Sequence, residues 1–142
     1  DAGVDGLIIV DLPPEEDKEL RDCCHSNKID LIRLITPTSN KERLKILLDG
    51  VSGFLYYVSI TGVTGSAKPD LKALEPHINE IRDLSQLPIA IGFGIRTPED
   101  AAHMAQISDA VVVGSAIVNT LQDKGTAEAL NLVSKLSHAL KA

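Results

Sequence analysis

Five short apolar runs recur along the chain, at Leu7 to Val10, Asp30 to Ile35, Phe54 to Val58, Pro88 to Ile91 and Ala110 to Val113. Each fits a buried strand. Strand starts near residues 7, 31, 54, 89 and 111 are separated by about 24, 23, 35 and 22 residues, the range of a βα unit. The intervening stretches are polar and carry helix signals, so the chain alternates strand and helix as βαβ units around a parallel sheet do. Three lead-ins, Val4-Asp5-Gly6, Val51-Ser52-Gly53 and Ser108-Asp109-Ala110, suit tight loops feeding a strand.

The helix signals are specific. Ser39 and Glu42 have capping-box spacing ahead of Leu44, Leu47 and Leu48. Thr97, Pro98 and Asp100 supply a cap, a first-turn proline and a first-turn acid. Pro76 suits a first turn before Ile78, Ile81 and Leu84, and Pro13-Pro14-Glu15-Glu16 suits the start of the helix after the first strand. Glu15, Glu16 and Asp17 read as a solvated helix start. Ala129, Val133, Leu136 and Leu140 predict a packed final helix near residues 125 to 141.

A length of 142 residues supports one domain, read as residues 1–142, but not a complete (β/α)8 barrel, which takes about 250. The chain also opens at Asp1, without Met and almost directly into a strand, which predicts a cut from something longer. Hydrophobic residues at 44% and charged residues at 24% argue against disorder. Aromatic residues at 3%, no Trp and a net charge of −6 disfavour nucleic acid. No run is long enough for a membrane span and no signal-type segment opens the chain, so a cytoplasmic location is expected. Cys23 and Cys24 are neighbours in a predicted helix, where a mutual disulfide would be strained, and read as reduced packing residues rather than metal ligands. His77, His103 and His138 fall singly on predicted helices, as surface or boundary residues.

The chemistry belongs at the carboxyl ends of the strands, where parallel α/β proteins bind ligands. The long interval holds Ser59 to Pro69, rich in Gly and Thr, which predicts a lid over a polar ligand; a tolerated surface insertion is the plainer alternative. Gly92-Phe93-Gly94-Ile95 and Gly114-Ser115-Ala116-Ile117 follow the last two runs. Glycine permits close backbone approach to an anion, and Ser115 would open a short helix whose free N–H groups favour phosphate. Asp11 follows the first strand and is the one carboxylate facing the active end. It reads as a turn cap or partner contact ahead of an acid or base. No Ser-His-Asp set, Cys-His pair or strand-end Lys suggests covalent catalysis.

Val4 to Pro13, Leu34-Ile35-Thr36-Pro37-Thr38, Tyr56 to Gly65, Gly92-Phe93-Gly94-Ile95 and Gly114 to Val118 together resemble, in order and across the whole chain, the tryptophan synthase alpha chain family. The Gly62-Val63-Thr64-Gly65 segment is the specific part. The resemblance implies a partial TIM (β/α)8 barrel, about five βα units of eight, beginning at the fourth strand. It implies retro-aldol cleavage of indole-3-glycerol phosphate to indole and glyceraldehyde 3-phosphate, with the catalytic carboxylates after the second strand and therefore none in this chain. It places Tyr56 and Phe93 at the indole pocket and Thr64 in the lid. Gly65, Gly92, Gly94, Gly114 and Ser115 line the substrate site, mostly around its phosphate. It implies no cofactor and no metal. A pyridoxal-phosphate (PLP) beta chain is the implied partner in an α2β2 complex, contacted around Asp11 and Pro13. The alternatives are another phosphate-binding barrel enzyme, a noncatalytic module with an open doubly wound sheet, or a scaffold that only binds the beta chain.

Overall fold

The computed structural model describes residues 3–59, 70–92 and 94–141. Strands β1 (Gly6–Ile8), β2 (Asp30–Ile35), β3 (Leu55–Val58), β4 (Ile89–Gly92) and β5 (Ala110–Val112) alternate with helices α1 (Lys18–Ser26), α2 (Lys41–Leu47), α3 (Leu71–Leu84), α4 (Pro98–Met104) and α5 (Ser115–Ala139). The strands form one parallel sheet in the order β1-β2-β3-β4-β5. Every crossover therefore steps the same way, and with right-handed connections every helix falls on the same face. A doubly wound sheet needs a reversal of strand order, which this sheet lacks. The arrangement is the arc of a TIM barrel.

The register shows which residues share a face. Leu34 pairs with Tyr56, Tyr56 with Ala90 and Ala90 with Ala110, while Ile35 pairs with Tyr57 and Tyr57 with Ile91. Alternation along each strand then puts Ile35, Leu55, Tyr57, Ile89 and Ile91 on one face. They join Leu44, Leu74, Ile78, Ile81, Ala101, Met104, Ile107 and Leu136 in a single core cluster. This is the helix-covered, outer face of the arc. Leu34, Tyr56, Val58 and Val112 lie on the other face and are only partly buried, and Ile8 at its edge is 41% exposed.

The amino ends are tied by the predicted lead-ins. Asp109 accepts from the Ile89 backbone N–H at 2.9 Å, and its own N–H donates to the Ile89 carbonyl at 2.9 Å. Ser52 does the same with Leu31, each bond 3.3 Å. The Asp30 N–H donates to the Asp5 carbonyl at 2.8 Å.

The helix starts follow the sequence with three shifts. Thr97 caps α4 in a complete capping box with Asp100 and Pro98. The cap of α2 is Asn40, whose side chain accepts from the Arg43 N–H at 2.9 Å, not Ser39. Ser39 is buried one residue earlier, where its N–H closes a turn on the Thr36 carbonyl at 3.0 Å. Pro76 lies inside α3, which begins five residues earlier under the cap of Asp70. Its exposed position lets water reach the Lys72 carbonyl that a proline cannot bond. Pro13 to Glu16 form a turn closed by the Glu16 N–H on the Pro13 carbonyl at 3.0 Å, and α1 starts only at Lys18. Asp17 is fully buried against Arg33 rather than solvated, because Arg33 reaches it from the helix-covered face of β2.

At the carboxyl terminus the expected short helix and final helix run on as α5, broken at Gly125 (φ 82°, ψ 178°), a conformation that favours glycine. Ala129 and Leu136 are buried against the core, but Val133 and Leu140 stay 41% and 40% exposed. The apolar stripe of this helix is thus broader than the surface available to cover it.

Candidate functional site

Of the residues singled out for ligand binding, Tyr56, Gly92, Gly94, Gly114 and Ser115 are described, and they lie in or just after β3, β4 and β5. Tyr56 and Gly92 occupy the inner face of adjacent strands, and Tyr56 lies across Gly92. A Cβ built on Gly92 would sit 2.1 Å from the Tyr56 hydroxyl and 2.5 Å from Cζ, so only glycine admits this tyrosine here. The hydroxyl end of the Tyr56 ring thus packs against the Gly92 backbone on the inner face.

Gly94 and Gly114 each stand two residues past a paired position, Gly92 and Val112 respectively. Gly94 is exposed with φ +74°, and a Cβ at either glycine would meet nothing within 4 Å. Gly114 precedes α5, which has no side-chain cap among the described residues. The first amide reaching back to the Gly114 carbonyl is that of Ile117, at 2.9 Å. Among the described residues the N–H groups of exposed Ser115 and of Ala116 have no backbone partner, and the helix dipole favours negative charge there. Tyr56, Gly92, Gly94, Gly114 and Ser115 thus gather on three neighbouring units. Thr64, Gly65 and Phe93, with the rest of the 60–69 segment, lie outside the described residues.

Behind the site, Tyr57 shares the outer face. Its hydroxyl is 3.0 Å from His77 Nδ1, and His77 Nε2 is 2.7 Å from the Ser39 carbonyl. The carbonyl can only accept, so Nε2 carries a proton and donates to it, while Nδ1 meets the Tyr57 hydroxyl. Burial pushes the Tyr57 hydroxyl up to about 12. This bridge ties β3 and α3 to the turn before α2. The sequence marked His77 only as a boundary residue, and nothing local signals a partner twenty positions away. Ser59, at the end of β3, is fully buried, and its hydroxyl has no partner among the described residues.

Asp11 sits apart, exposed in the turn after β1. It lines a cleft of about 420 Å³ with Pro13, Arg33 and Arg43 among others. It lies away from the glycine turns after β5, with three strands between β1 and β5 in the sheet. Arg43 of α2 pairs with Glu15 and, by hydrogen bonding, holds that carboxyl below its usual range. Cys23 is exposed and Cys24 buried, both free, and burial raises the Cys24 thiol. No group of residues suited to a metal occurs among the described residues. No described helix is long and apolar enough to cross a membrane.

A sequentially wound parallel arc with glycine turns gathered at its carboxyl ends defines a TIM-barrel protein. Comparison with known proteins narrows the class. The family model described as "Tryptophan synthase alpha chain" matches residues 1–141, and the chain belongs to that family. It is 49% identical to the alpha chain of Phenylobacterium zucineum over 147 aligned positions, covering 99% of this chain and 53% of that one. It is 52% identical to the Zymomonas mobilis alpha chain over 122 positions, covering 86% and 44%. The Legionella pneumophila alpha subunit superposes with a TM-score of 0.83 at 34% identity, covering 99% of this chain and 53% of that one. A Mycobacterium tuberculosis tryptophan synthase structure gives a TM-score of 0.85 at 32% identity, covering 96% and 52%. The chain spans about half the length of the relatives it matches.

Proposed function

We propose that the chain forms the carboxyl-end half of an alpha subunit that cleaves indole-3-glycerol phosphate to indole and glyceraldehyde 3-phosphate, a cytoplasmic step in making tryptophan. The observation that carries this reading is the close approach of Tyr56 to Gly92 beside the uncapped start of α5. It offers an aromatic side chain for an indole ring and helix-start N–H groups for a phosphate.

In this reading the retro-aldol step breaks the bond between the indole ring carbon and the glycerol chain. A proton must arrive at the ring carbon and another must leave the glycerol hydroxyl. Neither role falls to this chain. The two carboxylates belong to the preceding half of the barrel, and Tyr56, Phe93, Gly94, Gly114 and Ser115 bind and orient the substrate. Thr64 and Gly65 belong to the segment that covers it. No cofactor takes part here. PLP belongs to a beta chain that receives the indole in an α2β2 complex and meets this chain around Asp11 and Pro13.

The test is indole release from indole-3-glycerol phosphate by three samples: this chain, the preceding half of a relative such as the Phenylobacterium alpha chain, and their mixture. Neither piece alone should release indole and the mixture should. Activity of the 142-residue chain by itself would overturn the assignment of the acid and base. In the active mixture, Gly114→Asp should abolish glycerol-phosphate binding by setting a carboxylate against the anion. Unchanged affinity by calorimetry would remove the phosphate site from α5.

A further inference from the structure

We infer that the buried Asp17–Arg33 pair is a positioning device that holds the β1–α1 loop, residues 9–16, in one conformation for a partner surface. Asp17 occupies the N-cap position of α1, where an Asp ordinarily bonds its own first-turn amides. Among the described residues it does not: it has helical dihedrals (φ −87°, ψ −6°) and makes no cap hydrogen bond. Its carboxylate is fully buried and paired with Arg33, itself only 6% exposed. The same guanidinium reaches the Leu12 carbonyl through Nη1 at 3.5 Å. One arginine on β2 therefore grips the loop at two points five residues apart, on either side of the Pro13–Glu16 turn.

A second arginine grips the middle, since Arg43 of α2 pairs with Glu15. Behind Asp17, Arg21 lies 3.6 Å from Oδ1 and is itself bonded to Asp49 at 2.8 Å. The outward side of the loop is free: Val10 is 72% exposed, and Ile9, Asp11 and Pro13 are exposed beside it.

Stability alone does not account for the pair. A buried ion pair is on balance no more stabilising than apolar side chains of similar volume, and this one leaves Arg33 Nε and Asp17 Oδ1 without hydrogen-bond partners among the described residues. What it supplies is geometry. A loop already held in place loses less freedom on binding, so an exposed apolar segment clamped from behind suits recognition of a protein. The partner half of the inference rests on the proposed beta-chain contact at Asp11 and Pro13.

The test replaces the pair by apolar residues, Asp17→Leu with Arg33→Met, in the chain joined with its complementing half as in the active mixture. Three quantities are measured: the thermal midpoint, hydrogen exchange of the backbone amides of Val10, Asp11, Leu12, Glu15 and Glu16, and the Kd for a purified tryptophan synthase beta chain. The expected result is an unchanged or higher midpoint, loop amides exchanging at least tenfold faster, and a Kd raised at least tenfold. Unchanged loop exchange at an unchanged midpoint overturns the inference. Faster exchange with an unchanged Kd supports the positioning role and sinks the reading of this loop as the beta-chain contact. Should the double variant not fold, Arg33→Lys decides: it keeps a charge for Asp17 but lacks the fork that also reaches Leu12. Exchange should then quicken around Leu12 and stay slow at Asp17, and uniform protection at both would overturn the inference.

Discussion

Ile35, Leu55, Tyr57, Ile89 and Ile91 are all within 1% of complete burial on the helix-covered face of the sheet. Leu34, Tyr56 and Val58, each one position away on the same strands, remain half-buried on the other face. The difference teaches where the stability of the arc resides. Helices α2, α3 and α4 and the distal part of α5 close a complete apolar layer over the outer face. The inner face is left with the Tyr56 and Gly92 surface, and with apolar residues that further strands of a barrel would cover.

The largest test of this contrast is a pair of truncations. Ile91→Ala on the outer face should cost about 3–4 kcal/mol of unfolding free energy in urea, through lost transfer energy and a residual cavity. Leu34→Ala on the inner face should cost about 1 kcal/mol, since less area leaves water there. Equal costs would mean that the inner face is as tightly packed as the outer.

The buried Tyr57 on the outer face offers a second test. The folded-state pKa of Tyr57 is about 12, above the ordinary value of 10.0, so the folded protein holds this proton more tightly than the unfolded chain. The contribution is fully present below pH 10 and is lost as the pH climbs toward 12, by roughly 2–3 kcal/mol. Tyr57→Phe should flatten stability between pH 10 and 12. A slope that survives Tyr57→Phe would assign it to other groups.

On the inner face, Gly92→Ala should force the Tyr56 ring aside at a cost of about 1–3 kcal/mol, because the added methyl would overlap the hydroxyl at 2.1 Å, well inside van der Waals contact. Tyr56→Ala in the same protein should recover most of that cost. If the double variant is no more stable than Gly92→Ala alone, something other than the tyrosine requires the glycine.

The smallest effect sits at the start of α2. Asn40→Ala should cost about 1 kcal/mol as a lost cap, and Asn40→Ser should recover part of it. Circular dichroism on thermal unfolding resolves the two variants, and a neutral Asn40→Ala would return the cap to a neighbouring residue.

The positions of the strands and the starts of α4 and α5 were legible in the sequence because their signals span only a few residues. The run Asp30 to Ile35 is β2 residue for residue, and Thr97 caps α4 with Pro98 in its first turn as read. A cap, a turn or an apolar run is decided by dihedral preferences and by hydrogen bonds within about four positions, so no knowledge of the rest of the chain is needed. The choice between Ser39 and Asn40 was finer than that, since both are good caps. It was settled by the Thr36 turn that takes Ser39 and by His77, which reaches its carbonyl from α3.

By itself, then, the sequence determined a βα repeat, its family and the glycines at its carboxyl ends. Tertiary structure decided that Asp17 is buried under Arg33, that Tyr56 lies on Gly92, and that Val133 and Leu140 stay exposed while Ala129 and Leu136 do not. Each of those outcomes joins residues on different strands or helices, or depends on whether a neighbouring element covers one side of a helix. Sheet register and layer coverage set them, and both arise only when distant segments meet.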